Sequence, residues 1–395
     1  RFSPFWQIWD ANWFPDWSAS AQKISWFYEK TLNGTTVDGI VAITPDVLID
    51  LLKITGPIEM PAYKKTITAE NFMYEVQMAV ELEYDKTENQ PKKIIADMMP
   101  EILNRVFHLP TSEVAPWLQT ILNNANQKNI LFWFRDEPMQ ATTKLLGLDG
   151  TIKPNPLDYL MVVHTNIGGG KTDRVIKNNI DYQVNVNDQG ELIATINLTR
   201  QHNGDLNNIF ENQTNVDFVR FYVPLGSELL TANGFDTLAP NLFQTNTTGQ
   251  INKDPDLLAL EKNPLIDENT GTRITEEFNK TVFGNWIILP PNQEKKVSLS
   301  YRLPFNLATT KSNTWQKIKN FFHMAAATSG FDYQLIIQKQ PGQTNTELTA
   351  SFSAPKNWLF SDTSSEQLNI SNNTASFITE LNQDAAYGFK IMAQP

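Results

Sequence analysis

Cysteine is missing from all 395 residues. That excludes disulfides, thiolate metal sites and cysteine nucleophiles. It is compatible with an exported bacterial surface protein. Clustered basic residues are missing too: Lys92-Lys93 and Lys295-Lys296 are isolated pairs, and the net charge is −11. Nucleic-acid phosphates need a concentrated cationic face, so nucleic acid is not an expected partner. No apolar run approaches the roughly 20 residues that span a bilayer. Arg1 is preceded by no initiator Met or signal peptide, so membrane attachment is expected only through an anchor upstream of it in a longer parent chain. The histidines His108, His164, His202 and His323 share no ligand spacing, and no Gly-x-Ser-x-Gly elbow occurs.

What is present fits an ordered globular chain of two or three domains: 41% hydrophobic and 19% charged residues. Seven Asn-x-Ser/Thr sequons, at Asn33, Asn197, Asn212, Asn246, Asn279, Asn369 and Asn372, suit this Asn- and Thr-rich composition by chance as well as by glycosylation.

Residues 1–17 carry Trp6, Trp9, Trp13 and Trp17 with Phe2, Phe5 and Phe14. Their spacing suits either an aromatic plug against the first domain or an apolar lining for a lipid or glycan. A helix capped by Ser18 or Ser20 is predicted to about Lys30, then a buried strand from Val37 to Ile43. Thr44-Pro45-Asp46 predicts a helix start with a capping hydroxyl and Pro at the first position. Gly56-Pro57 stops that helix. Thr68 caps the next, Pro100 interrupts a longer one, Ile130 to Phe134 is a second strand, and a helix opens at Asp136-Glu137-Pro138. After Gly150 the period changes to two. Ile180 to Val186 and Leu192 to Leu198 alternate about a turn at Asp188-Gln189-Gly190. Strands recur to Leu303, and residues 231–275 read as a long loop. A helix is predicted over Trp315 to Ala326, then a final β segment. The expected layout is an α/β domain at 1–150, a β-sandwich-like domain at 151–305, and a connector helix with a β segment at 306–395.

Three acids fall early: Asp10, Asp16 and Asp38. With Asn12 they offer hard oxygen ligands, Asp10 and Asp16 in particular, for an ion such as Mg²⁺. A helix-orienting Asp16 and a turn Asp38 are the simpler explanation. Gly168-Gly169-Gly170-Lys171-Thr172 resembles a phosphate loop, but the Walker pattern needs Gly where Thr165 stands, and no helix follows. A glycine-rich turn between strands is the better reading. Asn166, Lys171, Asp173 and Arg174 then form a candidate polar binding patch, and Asn12, Trp13 and Trp17 a second. No cofactor is required by these patterns.

The ordered matches Asp10-Ala11-Asn12-Trp13, Pro15-Asp16, Ser20-Ala21, Val37 to Ile43 with Pro45, and Gly56-Pro57-Ile58 resemble the bacterial DUF4012 family. So do Phe132 to Asp136, Asp158-Tyr159-Leu160, Gly168-Gly169 and Arg220 to Gly226. The front half of that family looks like the LytR–CpsA–Psr envelope domain. The resemblance implies a sheet with flanking helices, an apolar tunnel, and acids and arginines serving transfer of glycopolymer from a polyprenyl-pyrophosphate carrier. Trp9 stands where such proteins often carry Arg, and the upstream strand of that domain would lie before Arg1.

The expectation is therefore an LCP-like α/β front domain followed by β sandwiches, in an extracytoplasmic envelope or surface protein. Its role would be to bind glycopolymer, lipid carrier or other protein copies. The alternatives are a metal-dependent phosphotransferase using Asp10, Asp16 and Asp38, or a structural subunit of a surface assembly.

Overall fold

The computed structural model describes residues 5–155, 157–239, 242, 253–307 and 332–393. The predicted helix at Trp315 to Ala326 lies outside them. The chain divides into two units, Trp17–Gly150 and Arg1–Asp16 with Thr151–Pro395.

The first unit is mainly helical. Helix α1 (Trp17–Thr31) leads to strand β1 (Gly39–Ile43), helix α2 (Pro45–Thr55) and a short hairpin, β2 (Ile58–Met60) and β3 (Lys65–Ile67). Helices α3 (Phe72–Met78), α4 (Lys93–Phe107) and α5 (Thr111–Asn126) follow, then β4 (Ile130–Phe134) and α6 (Glu137–Leu145). Among the described residues β1 pairs only with β4, antiparallel, Val41 opposite Phe132. The expected sheet with flanking helices is thus a two-stranded ribbon. Trp17 and Ala21 of α1 pack with Leu131 and Trp133 from one face. Ile130 of β4 packs with Val47, Leu48, Leu51 and Leu52 of α2 and with Ile94, Met98 and Ile102 of α4.

α2 begins at Pro45 as read, but the Thr44 hydroxyl makes no capping bond and is buried without a partner. Its carbonyl, not its side chain, receives the Val47 N–H. The other end is closed from outside: Arg105 Nη1 on α4 lies 3.0, 3.0 and 2.8 Å from the carbonyls of Thr55, Gly56 and Pro57. These are carbonyls a helix terminus leaves unsatisfied.

The second unit is a two-sheet sandwich. Its strands are β5 (Asp158–Val163), β6 (Ile176–Val186), β7 (Glu191–His202), β8 (Asn215–Pro224) and β9 (Glu228–Asn233). After a short helix α7 (Pro255–Leu260) come β10 (Lys262–Ile266), β11 (Arg273–Glu277), β12 (Lys280–Leu289) and β13 (Glu294–Asn306). β14 (Tyr333–Ile337), β15 (Thr346–Ser353), β16 (Trp358–Thr363), β17 (Asn369–Ser371), β18 (Thr374–Glu380) and β19 (Ala385–Ala393) complete it. One sheet runs β10-β11-β12-β8-β5-β14-β19-β16, the other β17-β18-β15-β6-β7-β13-β9. Alternating side chains of both sheets fill one apolar interior, from Leu160 and Ile180 to Phe352 and Phe389.

Two expected boundaries move. Residues after 306 are not a separate segment: β14 lies parallel to β5 inside one sheet, and β15 parallel to β6 inside the other. Each would otherwise leave an apolar face and a row of backbone groups uncovered. The residues before 17 belong with the sandwich, not with the helical unit. Phe14 is buried with its ring edge-on to Phe278 at 6.2 Å, and Asp16 Oδ2 accepts the Ile152 N–H at 2.9 Å. The region 231–275 also holds α7, β10 and part of β11 rather than loop alone.

Candidate functional site

β5 points Asp158, Leu160 and Val162 into the sandwich, and His164 continues that column just past its end. The two apolar residues belong to the core; the polar ones at either end each organise a cluster.

At the His164 end, Asp217 of β8 is fully buried and accepts from three sides. His164 Nδ1 is 2.7 Å from its Oδ2, Arg200 Nη1 is 2.7 Å from the same oxygen, and the Thr165 N–H is 2.6 Å from Oδ1. Burial works to raise the Asp217 pKa, but Arg200 and His164, with the Thr165 N–H, outweigh it and hold the carboxyl below its usual range. Arg200, only 1% exposed, also donates to Asn178 and Asn215. Asn215 Nδ2 passes the network to Thr172 Oγ1 at 3.0 Å and Asp173 Oδ1 at 3.2 Å. Asn166 Nδ2 meets Gly170 O at 2.8 Å and Asp173 Oδ2 at 3.1 Å. The glycine-rich turn is thereby folded back on the strand that precedes it, and β6 follows after one helical turn at Asp173–Val175. Two buried atoms in this cluster have no partner, His164 Nε2 and Asn166 Oδ1. An Asp-oriented imidazole has the form of a general base, yet nothing is bonded to its second nitrogen. As built, the cluster closes the end of the sandwich.

Of the predicted patch, Asn166 and Asp173 thus come together, while Lys171 is exposed. Arg174 lines a separate cleft of about 390 Å³ with Lys177, Asn203, Asn345, Glu347 and Glu380. Both charge signs line it.

At the opposite end, Asp158 Oδ2 accepts from the hydroxyls of Tyr182, at 2.8 Å, and Tyr333. Tyr301 donates to the Tyr182 hydroxyl at 3.2 Å. Tyr333 stands in one sheet, Tyr182 and Tyr301 in the other, so this network ties the two layers across the core. Burial pushes Asp158 up to about 6 against the hydroxyl bonds that lower it. Sequence reading missed this cluster, although the signal was there: all four side chains occupy inward positions of alternating strands.

On the outer face of the eight-stranded sheet, Arg220 and Tyr222 alternate with the inward Val219, Phe221 and Val223. Arg220 donates to the Trp13 carbonyl at 3.2 Å, and its guanidinium stands 5.3 Å from the Trp13 ring. Tyr222 donates to Glu277 at 2.5 Å. Lys280, buried on that face, donates to Lys153 O at 3.0 Å and Asn155 Oδ1 at 2.7 Å, its Nζ 4.3 Å from the centre of the Tyr159 ring. Burial pushes its ammonium down to about 8.

The predicted acids have local duties. Asp10 Oδ2 accepts the Gln7 N–H at 3.1 Å, and Asp16 receives Ile152 as described. Asp38 is exposed in the helical unit, its carbonyl taken by the Arg135 N–H. Asn12 is exposed, and Trp17 is buried in the helical unit. Among the described residues no three His, Asp or Glu side chains are placed to hold a metal ion. For the expected Mg²⁺ site, Asp10 and Asp16 each have one carboxylate oxygen engaged by a backbone N–H, and no third acid or histidine joins them among the described residues.

The sequence model of a family described as a protein of unknown function (DUF4012) matches residues 2–80 and supports the kinship read from the motifs. No curated protein matches the chain. Among solved structures, a protein described as nutrient-binding from Legionella pneumophila aligns at 8% identity and TM-score 0.27, over 59% of this chain and 71% of that one. The M1 zinc metallopeptidase of Deinococcus radiodurans aligns at 10% identity and TM-score 0.21, over 54% of this chain and 42% of that one. Neither likeness is close enough to carry an argument about fold or activity.

Proposed function

We propose that this DUF4012-type chain is an extracytoplasmic protein of the bacterial cell envelope or surface that works by binding, and that its ligand is protein. The observation that carries this reading is the outer face of α5. Trp117 and Ile121 of α5 pack on the unit's core, which satisfies an ordinary amphipathic helix. Val114, Leu118 and Leu122, spaced by four, form a second apolar row that stays exposed, and Phe107 at the end of α4 is 79% exposed. An apolar row without a cover among the described residues is the mark of an interaction surface. Glycopolymer is a second reading, favoured by Trp9, which is 77% exposed and free to stack on a sugar ring.

The test is co-sedimentation of the chain with isolated cell-wall sacculi, with vesicles containing polyprenyl phosphate, and with itself over a concentration series. Protein association that falls at least tenfold in Leu118→Glu/Leu122→Glu supports the reading. Retention on sacculi lost only in Trp9→Ala would favour the glycan. Mg²⁺-dependent transfer from a polyprenyl-pyrophosphate glycan, abolished by Asp10→Ala, would overturn both in favour of an LCP-like phosphotransferase.

A further inference from the structure

The ribbon of the helical unit has one open side. In its register the pairs alternate between those that exchange hydrogen bonds and those that do not. The Arg135 N–H donates to Asp38 O and the Thr44 N–H to Asn129 O. The bonded pairs are therefore Ile40 with Trp133 and Ala42 with Leu131. It follows that the N–H and C=O groups of Gly39, Val41 and Ile43 point away from β4. β4 itself is closed on its far side: the Phe132 N–H donates to Leu148 O, and the Phe134 N–H to Gln140 Oε1 at 2.8 Å. β1 has no such cover among the described residues, and β4 is its one neighbour. Val41 and Ile43, which share a face, are 53% and 43% exposed.

Open strand edges recruit other strands, and proteins blunt them with charge, proline or short length. The sandwich does so. Its edge strand β10 carries Lys262 and Pro264, β9 carries Glu228, and β17 is only three residues long. β1, Gly-Ile-Val-Ala-Ile, carries none of these devices.

We infer that β1 is a pairing edge for β1 of a second copy, forming a continuous four-stranded antiparallel sheet about a two-fold axis at Val41. The sequence of the strand is self-complementary in that register. Gly39 faces Ile43 of the other copy, Val41 faces Val41, and the flanking Asp38 faces Thr44, so no like charges oppose. On a chain of net charge −11, an uncharged strip is where two copies approach at least electrostatic cost. About six backbone hydrogen bonds would form, and the Val41 side chain would lie against Val41 of the second copy, with each Ile43 over the other copy's Gly39. Gly39 has its own reason to be glycine. A Cβ there would stand 2.7 Å from the Phe134 ring and 2.8 Å from the Trp133 carbonyl, so a larger residue would meet both.

This inference goes beyond the protein-binding reading above and uses a different surface, which lets the two fail separately. The experiment is sedimentation equilibrium of the chain from low to high micromolar concentration, with four variants. Val41→Pro removes an N–H that points outward and leaves the β4 ladder intact; Val41→Lys adds the missing edge charge. The expected result is a dimer for the wild-type chain and a monomer for both variants, with far-UV circular dichroism unchanged and a melting temperature that no longer rises with protein concentration. Leu118→Glu should still dimerise. Val41→Cys, the one thiol in an otherwise cysteine-free chain, should give a covalent dimer on mild oxidation. A wild-type chain that stays monomeric, or Val41 variants that still dimerise, overturns the inference. Dimerisation lost in Leu118→Glu alone also overturns it, while leaving the binding reading in place.

Discussion

The two units solve the same problem with different thoroughness. The sandwich closes its core at both ends of β5 with polar networks, one around Asp217 and one around Asp158, and blunts most of its strand edges. The helical unit buries one face of its ribbon under α1 and one under α2 and α4, then leaves the far edge of β1 without a partner among the described residues and α5 greasy on its outer side. One unit is finished by its own chain. The other has, among the described residues, unspent hydrogen-bonding and apolar surface, and that is where the proposed partner would dock.

The sharpest way to break this contrast is through the Asp217 network. Arg200→Met should cost about 3–5 kcal/mol, because it strands a buried carboxylate rather than merely deleting a contact. Urea unfolding followed by tryptophan fluorescence reads this. A loss under about 1 kcal/mol would mean the network is not closing the core.

Asp158 gives the next largest effect. Its folded pKa of about 6 lies above its ordinary 3.8, so the folded state holds a proton that the unfolded state releases. The stability tied to that proton is complete below about pH 4 and is lost as pH rises to about 6. The size is about 3 kcal/mol at two pKa units. Stability measured from pH 4 to 7 should show this fall, and Asp158→Asn should flatten it.

In the helical unit the expected losses are smaller. Arg105→Ala frees the carbonyls of Thr55, Gly56 and Pro57 at a partly exposed helix end and should cost about 1–2 kcal/mol. Thr44→Ala should cost under about 0.5 kcal/mol, against the usual ~1 for a capping threonine, because that hydroxyl caps nothing. Thermal melts of both variants check the pair; a Thr44 loss near 1 kcal/mol would restore the capping role read from sequence.

Much of this was legible in the chain. The alternation from Ile180 to Leu198 about Gly190 is the β6–β7 hairpin, and Ile130 to Phe134 is one ribbon strand; the other, read as a buried strand from Val37 to Ile43, is Gly39–Ile43 and has no fully buried residue. What was not legible is non-local. Tyr333 reaches Asp158 across 175 positions, and no local pattern says that a late strand will lie parallel beside an early one. The opening tryptophans read as a plug for the first domain or as a lipid or glycan lining, yet the segment before Trp17 packs with the sandwich, because aromatic spacing carries no address. Arg220, Trp13 and Phe278 decide it. Of the candidate site, Asn166 and Asp173 were found as chain neighbours, while Asp217, Arg200 and His164 meet only through sheet topology. Asp10 and Asp38 were close in sequence but are employed on different units.

Amide hydrogen exchange at single residues, followed as a function of protein concentration, tests the central contrast most directly. The account predicts fast exchange of Gly39, Val41 and Ile43 amides in dilute chain and rising protection of those three as concentration increases, with Ile40 and Ala42 protected throughout. Amides of β5 and β8 should be slow at every concentration. Exchange at Val41 that is already slow in dilute chain, or fast at every concentration, would contradict it.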